Sequence, residues 1–178
     1  VIVEGDPGEG KTFFACEVAA RITKGEALSI FPSVPLPMGN VIFQTAEDGL
    51  ADTIRPRFDS LNADCSKIFI IDETDKQLSF RDLSRLEGAM ILHSPKLVIF
   101  DPVQAYLGAD VDAHRANEVR PLLSKLGILA EKYKTTIMLI MHLNKGGGGK
   151  ALYRGMGSID LPAAARSVLL VGSDPSNP

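Results

Sequence analysis

The sequence predicts a three-layer α/β/α sandwich around a mostly parallel central sheet, and three observations predict it. Apolar, β-branched runs recur at residues 1–3, 41–45, 68–71, 97–100, 136–141 and 168–171, each of strand length. Stretches with apolar residues at helical spacing lie between most of them, and such alternation implies right-handed crossovers that put helices on both sheet faces. The first run also leads straight into Gly5-Asp6-Pro7-Gly8-Glu9-Gly10-Lys11-Thr12, a complete G-x-x-x-x-G-K-[ST] phosphate loop with a strand before it and a helix after it.

In chain order, the first element after the loop is a helix over 12–22. Glycines let backbone N–H groups wrap phosphates, and the helix turns its positive end toward them. Gly5, Asp6, Pro7, Gly8, Glu9, Gly10, Lys11, Thr12 and Phe13 are therefore the candidate ATP-binding residues. Lys11 is placed to reach the β and γ phosphates, and the Thr12 hydroxyl to hold Mg²⁺, an ion that keeps most of its water. The segment 31–39, with prolines at 32, 35 and 37, suits neither a helix nor a central strand and reads as an extended surface connection. A partner-binding role is the other reading of its composition.

Open parallel sheets bind ligands at the carboxyl ends of their strands, so the residues there carry the chemistry. After 41–45 come Glu47 and Asp48, followed by a helix over 50–60. A further strand at 68–71 and a helix over 80–93 lead to 97–100, which ends in Asp101, as an aspartate that supports a Mg²⁺ shell does. Pro102 stands where many ATPases carry a catalytic glutamate, so the base must come from elsewhere. Glu47 is the candidate, on the expectation that its strand lies close to the phosphate loop, with Asp48 as the alternative. The pair could instead be solvated charges at a helix start.

A helix over 117–133 follows, and then the run 136–141, which ends in His142. There an imidazole could bond the γ-phosphate and report the nucleotide state. His93 and His114 lack that setting and read as surface residues. The segment 144–160, centred on four glycines, reads as a mobile loop. Its Lys145, Lys150 and Arg154 are candidate DNA contacts, or ordinary solvated charges. Arg166, in apolar company before the last strand, is a candidate arginine finger for a neighbouring subunit or a satisfied structural arginine, with Arg154 as the second candidate finger.

Composition bounds the rest. The 178 residues fit one domain, 1–178, and 45% hydrophobic with 23% charged residues is ordinary for a globular protein. A net charge of −3 argues against a globally basic nucleic-acid coat, though not against a local basic patch. Cys16 and Cys65 are too few for a disulfide framework or zinc site, which suits a reducing, cytoplasmic setting. No run approaches the ~20 apolar residues of a membrane span. The chain starts inside the strand that feeds the loop, as expected of a piece of a longer protein.

The phosphate loop, Gln44 to Gly49, Leu97 to Pro102, Met141 to Lys145 and Arg154 to Arg166 together resemble the RecA-like P-loop ATPases. The likeness is to the branch of the hexameric replicative helicase RepA and related plasmid, phage and mobile-element ATPases. This resemblance implies catalytic roles for Lys11, Glu47, Asp101, His142 and Arg166, and metal binding through Thr12 and Asp101. It also implies ATP and Mg²⁺ as ligands, a DNA-contacting loop within 144–160, and a hexameric ring acting on single-stranded DNA in replication. A recombinase or clock-type ATPase, a small-molecule kinase and a non-hydrolysing nucleotide switch are the competing expectations.

Overall fold

The computed structural model describes residues 1–108, 111, 115–142 and 165–173, at Ala116 the backbone alone. Six strands form one sheet: β1 (Ile2–Gly5), β2 (Val41–Thr45), β3 (Ile68–Phe69), β4 (Leu97–Asp101), β5 (Thr136–His142) and β6 (Val168–Leu170). Their order is β3-β2-β4-β5-β1-β6, and every pairing is parallel. All carboxyl ends therefore lie along one edge of the sheet, and the registers Gly5↔His142 and Thr45↔Asp101 line up the ends that matter.

The helices are α1 (Lys11–Lys24), α2 (Arg55–Ser60), α3 (Ser84–His93), α4 (Gln104–Leu107) and α5 (Ala116–Lys132). Alternate residues of each strand face opposite layers, as the two-residue period of a strand requires. Val3, Val41, Phe43, Ile99 and Ile140 meet α1, α2 and the turn that precedes α2 through Ala15, Cys16, Ala19, Ile22, Ile54 and Phe58. Ile2, Ile42, Val98, Phe100, Leu139 and Met141 meet α3, α4 and α5 through Leu86, Met90, Tyr106, Leu107, Val119, Leu122 and Leu126. Aromatic pairs close both layers: Phe43 packs edge-on to Phe58 at 5.4 Å, and Phe100 to Tyr106 at 4.9 Å.

Most elements shift by a residue or two at their ends, and three depart from expectation for a local physical reason. β3 stops at Phe69 because the buried Gln44 side chain takes over the ladder, accepting from Ile71 N at 2.6 Å and donating to Ile71 O at 3.2 Å. The helix expected from residue 80 begins at Ser84. Phe80 and Leu83 have helical spacing, but Phe80 is held by its N–H on Tyr106 O, and Asp82 caps the turn through Ser84 N–H and hydroxyl. The helix expected over 50–60 opens with a π turn, Leu50–Ile54, before α2.

The proline-bearing segment runs over the surface as expected, with Phe31, Val34 and Met38 exposed, and a bridge between Ala27 and Pro35. Cys16 is buried and Cys65 half-buried, both free. His93 is half-buried, stacked on Phe69 at 3.8 Å, rather than free on the surface. His114 lies outside the described residues. No helix among the described residues is long and apolar enough to cross a membrane.

Candidate active site

The phosphate loop takes its shape from backbone that only glycine holds comfortably. Gly8 and Gly10 both have φ of 85°, and Gly10 caps α1, accepting from Phe14 N at 2.9 Å. Gly5 serves a different need: a Cβ there would stand 2.2 Å from Val171 O, beyond the end of β6. Val171 N–H also donates to Glu4 O at 2.8 Å, so β6 holds the root of the loop.

Lys11 opens α1, is almost fully buried, and folds back to donate to Asp6 O at 2.8 Å. Burial pulls its ammonium below the usual lysine range, while the carboxylates of Asp101, Asp6, Glu47 and Glu9 oppose that shift. An ammonium on a loop carbonyl, surrounded by acids, is a cation held ready for a polyanion.

Asp101 ends β4, buried at 4% exposure. Burial lifts its carboxyl above the ordinary range, with the Thr12 hydroxyl donating to it in opposition. Its Oδ2 has no protein partner. A threonine hydroxyl bonded to a buried carboxylate with one unpartnered oxygen fits a hard cation that keeps its water. Among the described residues no cluster of three or more His, Cys, Asp or Glu could hold a metal by itself, so phosphate oxygens and water would complete such a shell.

Glu47 reaches the cleft by a route that differs from the expected one. Its strand is not close to β1, since β4 and β5 lie between β2 and β1. The loop after β2 instead turns over the end of β4, where Ala46 N–H donates to Asp101 O at 3.0 Å. Glu47 Oε2 then meets His142 Nε2 at 3.2 Å. The buried His142 Nδ1 has no partner. Candidate base and candidate sensor are thus in direct contact.

Arg57 escaped the sequence reading. It sits on α2 and pairs with Asp48 Oδ2 at 2.6 Å, each side chain 31% exposed. It lines a cleft of about 230 Å³ with Gly8, Gly10, Lys11, Thr12, Phe13, Thr45, Glu47, Asp48, Asp101 and His142. The I-R-P-R run offers two arginines with no periodic reason to choose between them, and only the fold turns Arg57 inward. The cleft is smaller than the ~300–1,000 Å³ of a full ligand pocket, so it suits a phosphate tail rather than a whole nucleotide.

A larger cavity, about 660 Å³, lies between α5 and the sheet, lined by Leu123, Leu126, Leu139 and Arg166. Its charged lining residues, Glu131, Lys134 and Arg166, lie away from the carboxyl ends of the strands and the phosphate loop, so size does not mark the site here. Arg166 precedes β6 and so lies at the opposite end of the sheet from the cleft, exposed to solvent. It therefore does not face its own chain's cleft. Lys145, Lys150 and Arg154 lie outside the described residues, as does the glycine-rich segment.

A parallel sheet with flanking helices and a phosphate loop facing an acidic wall is a P-loop fold of the RecA-like kind. A family profile described as an AAA domain matches residues 1–148, and the chain belongs to that family. A solved structure described as an ATPase domain is similar in fold, with a TM-score of 0.64 over 95% of this chain and 67% of that one, at 14% identity. With 305 solved chains matching, the fold is too widely shared to choose a substrate or partner. None of the curated proteins matches the chain.

Proposed function

We propose that the chain is the Mg²⁺-ATP-hydrolysing core of a RepA-like hexameric DNA helicase of plasmid, phage or mobile-element replication. The observation that carries the catalytic reading is convergence. Lys11 and Thr12 from the loop, Asp101 from β4, His142 from β5 and Glu47 from the loop after β2 all line one cleft. Lys11 binds the β and γ phosphates, and the loop N–H groups cradle them. Glu47 accepts a proton from, or orients, a water in line with the γ-phosphorus. When bound, Mg²⁺ would neutralise phosphate charge, held through Thr12 and Asp101.

His142, touching Glu47, reads whether a γ-phosphate is present. Arg166 acts on a neighbouring copy's cleft, and Lys145, Lys150 and Arg154 meet single-stranded DNA within the ring. A place in the cytoplasm goes with this role in DNA metabolism.

The test is ATP turnover by the full-length parent protein, with and without single-stranded DNA, beside Lys11→Ala. Turnover that DNA stimulates and the variant lacks supports the motor. Turnover indifferent to DNA favours a recombinase or clock-type ATPase, and tight ATP binding without turnover favours a switch.

A further inference from the structure

We propose that Arg57 is a positioning residue for Glu47, acting through its ion pair with Asp48 to hold the 46–49 loop over the cleft. The inference rests on the reading of Glu47 as the group that orients water.

Glu47 sits on a short loop whose two ends are secured differently. On the sheet side, Ala46 N–H donates to Asp101 O at 3.0 Å, and Asp48 N–H to Thr45 Oγ1 at 3.3 Å, a long bond. On the helix side, Gly49 O accepts from Thr53 and Ile54 N–H, the start of the π turn. The residue next to Glu47 is the one tied to Arg57, at 2.6 Å between Asp48 Oδ2 and Arg57 Nη1. Arg57 is itself well mounted. The next residue, Phe58, is buried at 3% exposure against Phe43, and Ile54 at 1%. The pair therefore fixes the loop to a helix anchored in the core. A guanidinium suits the task because it is permanently charged and its planar fork presents donors in fixed directions.

The same helix supplies its own comparison. Arg55 pairs with Asp59 at 2.9 Å, but those side chains are 60% and 57% exposed and absent from the cleft lining. Exposed pairs of that kind contribute little, whereas Arg57 and Asp48 are half as exposed and border the reacting groups. Small displacements of a catalytic group are costly, on the order of 100-fold in rate for 1 Å.

The experiment uses the full-length parent protein carrying Arg57→Gln, Asp48→Asn, both together, Arg57→Lys, or Arg55→Gln as the control. Four quantities are measured: kcat, KM for ATP, affinity for a non-hydrolysable ATP analogue, and amide hydrogen exchange at residues 46–49. Arg57→Gln and Asp48→Asn should each lower kcat about 10-fold or more while KM and analogue affinity hold within about 2-fold. The double variant should be no worse than the more severe single one, because both remove one interaction. Exchange at 46–49 should rise about 10-fold in both, Arg57→Lys should recover part of the loss, and Arg55→Gln should match the parent.

Unchanged exchange and kcat in Arg57→Gln would overturn the proposal. So would weakened analogue affinity at full kcat, which would make Arg57 a phosphate ligand, and so would losses that multiply in the double variant. If the parent protein itself does not turn over ATP, the ATPase reading falls separately, and the exchange result alone decides the clamp.

Discussion

The two walls of the cleft are built by different means. The phosphate-loop wall is continuous with the fold: β1 runs into the loop, the loop into α1, and Gly8 and Gly10 set the path through backbone angles. The Glu47 wall is assembled from side chains. Its loop arrives from a strand that β4 and β5 separate from β1, and is held by Asp48 to Arg57 and by Glu47 to His142. The first wall is a template that tolerates little change, and the second is an adjustable assembly. Binding should therefore depend chiefly on the first, and the chemical step on the second.

Lys11→Ala is the sharpest test and carries the largest expected effect. Loss of the buried ammonium removes the principal cation facing the phosphates, so both analogue binding and turnover should fall below detection, the latter by about 1,000-fold or more. Calorimetry with a non-hydrolysable analogue checks the first and phosphate release the second. Retained tight binding would break the assignment of binding to the loop wall.

Glu47→Gln keeps the shape of the other wall and removes its base. Turnover should drop about 100-fold or more with analogue affinity nearly unchanged. Undiminished turnover would move the base to Asp48. His142→Asn comes next: the contact to Glu47 is lost while Lys11 and the loop N–H groups still hold the phosphates. We expect a loss of about 10-fold in kcat, and reduced discrimination between ATP and ADP in any DNA-dependent readout.

The smallest expected effect concerns stability. Burial holds the Asp101 carboxyl above the ordinary aspartate value of 3.8, so the folded chain takes up its proton at a higher pH than the unfolded chain does. Asp101 therefore adds to stability below 3.8 and loses that contribution as pH rises through its folded value. Asp101→Asn should melt above the parent at pH 7, with the advantage shrinking as pH falls toward 3.8, while metal-dependent nucleotide affinity declines. Parallel melting curves at all pH values would show that the carboxylate is not under this burial cost.

The same contrast explains what the amino-acid sequence disclosed. The central strands β1, β2, β4 and β5 were legible because burial on both faces leaves uninterrupted apolar runs, β3 and β6 by their short apolar runs alone, and the loop wall because its glycines, lysine and threonine are contiguous. Glu47, Asp101 and His142 could be expected to share one cleft, as they do, because strand ends in a parallel sheet share one edge. The order of strands was not legible, so the path by which Glu47 reaches Lys11 was misjudged. Arg57 was invisible because its partner lies nine residues away across a π turn, a spacing that no regular helix predicts. The short β3 was equally hidden, since nothing in a run of isoleucines and phenylalanine reveals that Gln44 would complete the ladder.

The contact between Val171 and the root of the loop matters to anyone cutting this chain. Val171 N–H bonds Glu4 O, and its carbonyl presses on the position where Gly5 has no side chain. A fragment ending before residue 171 would keep every motif residue of the cleft and still lose the splint behind the loop. Such a truncation should bind nucleotide poorly for a mechanical reason, and its inactivity would say nothing about the chemistry of the residues it retains.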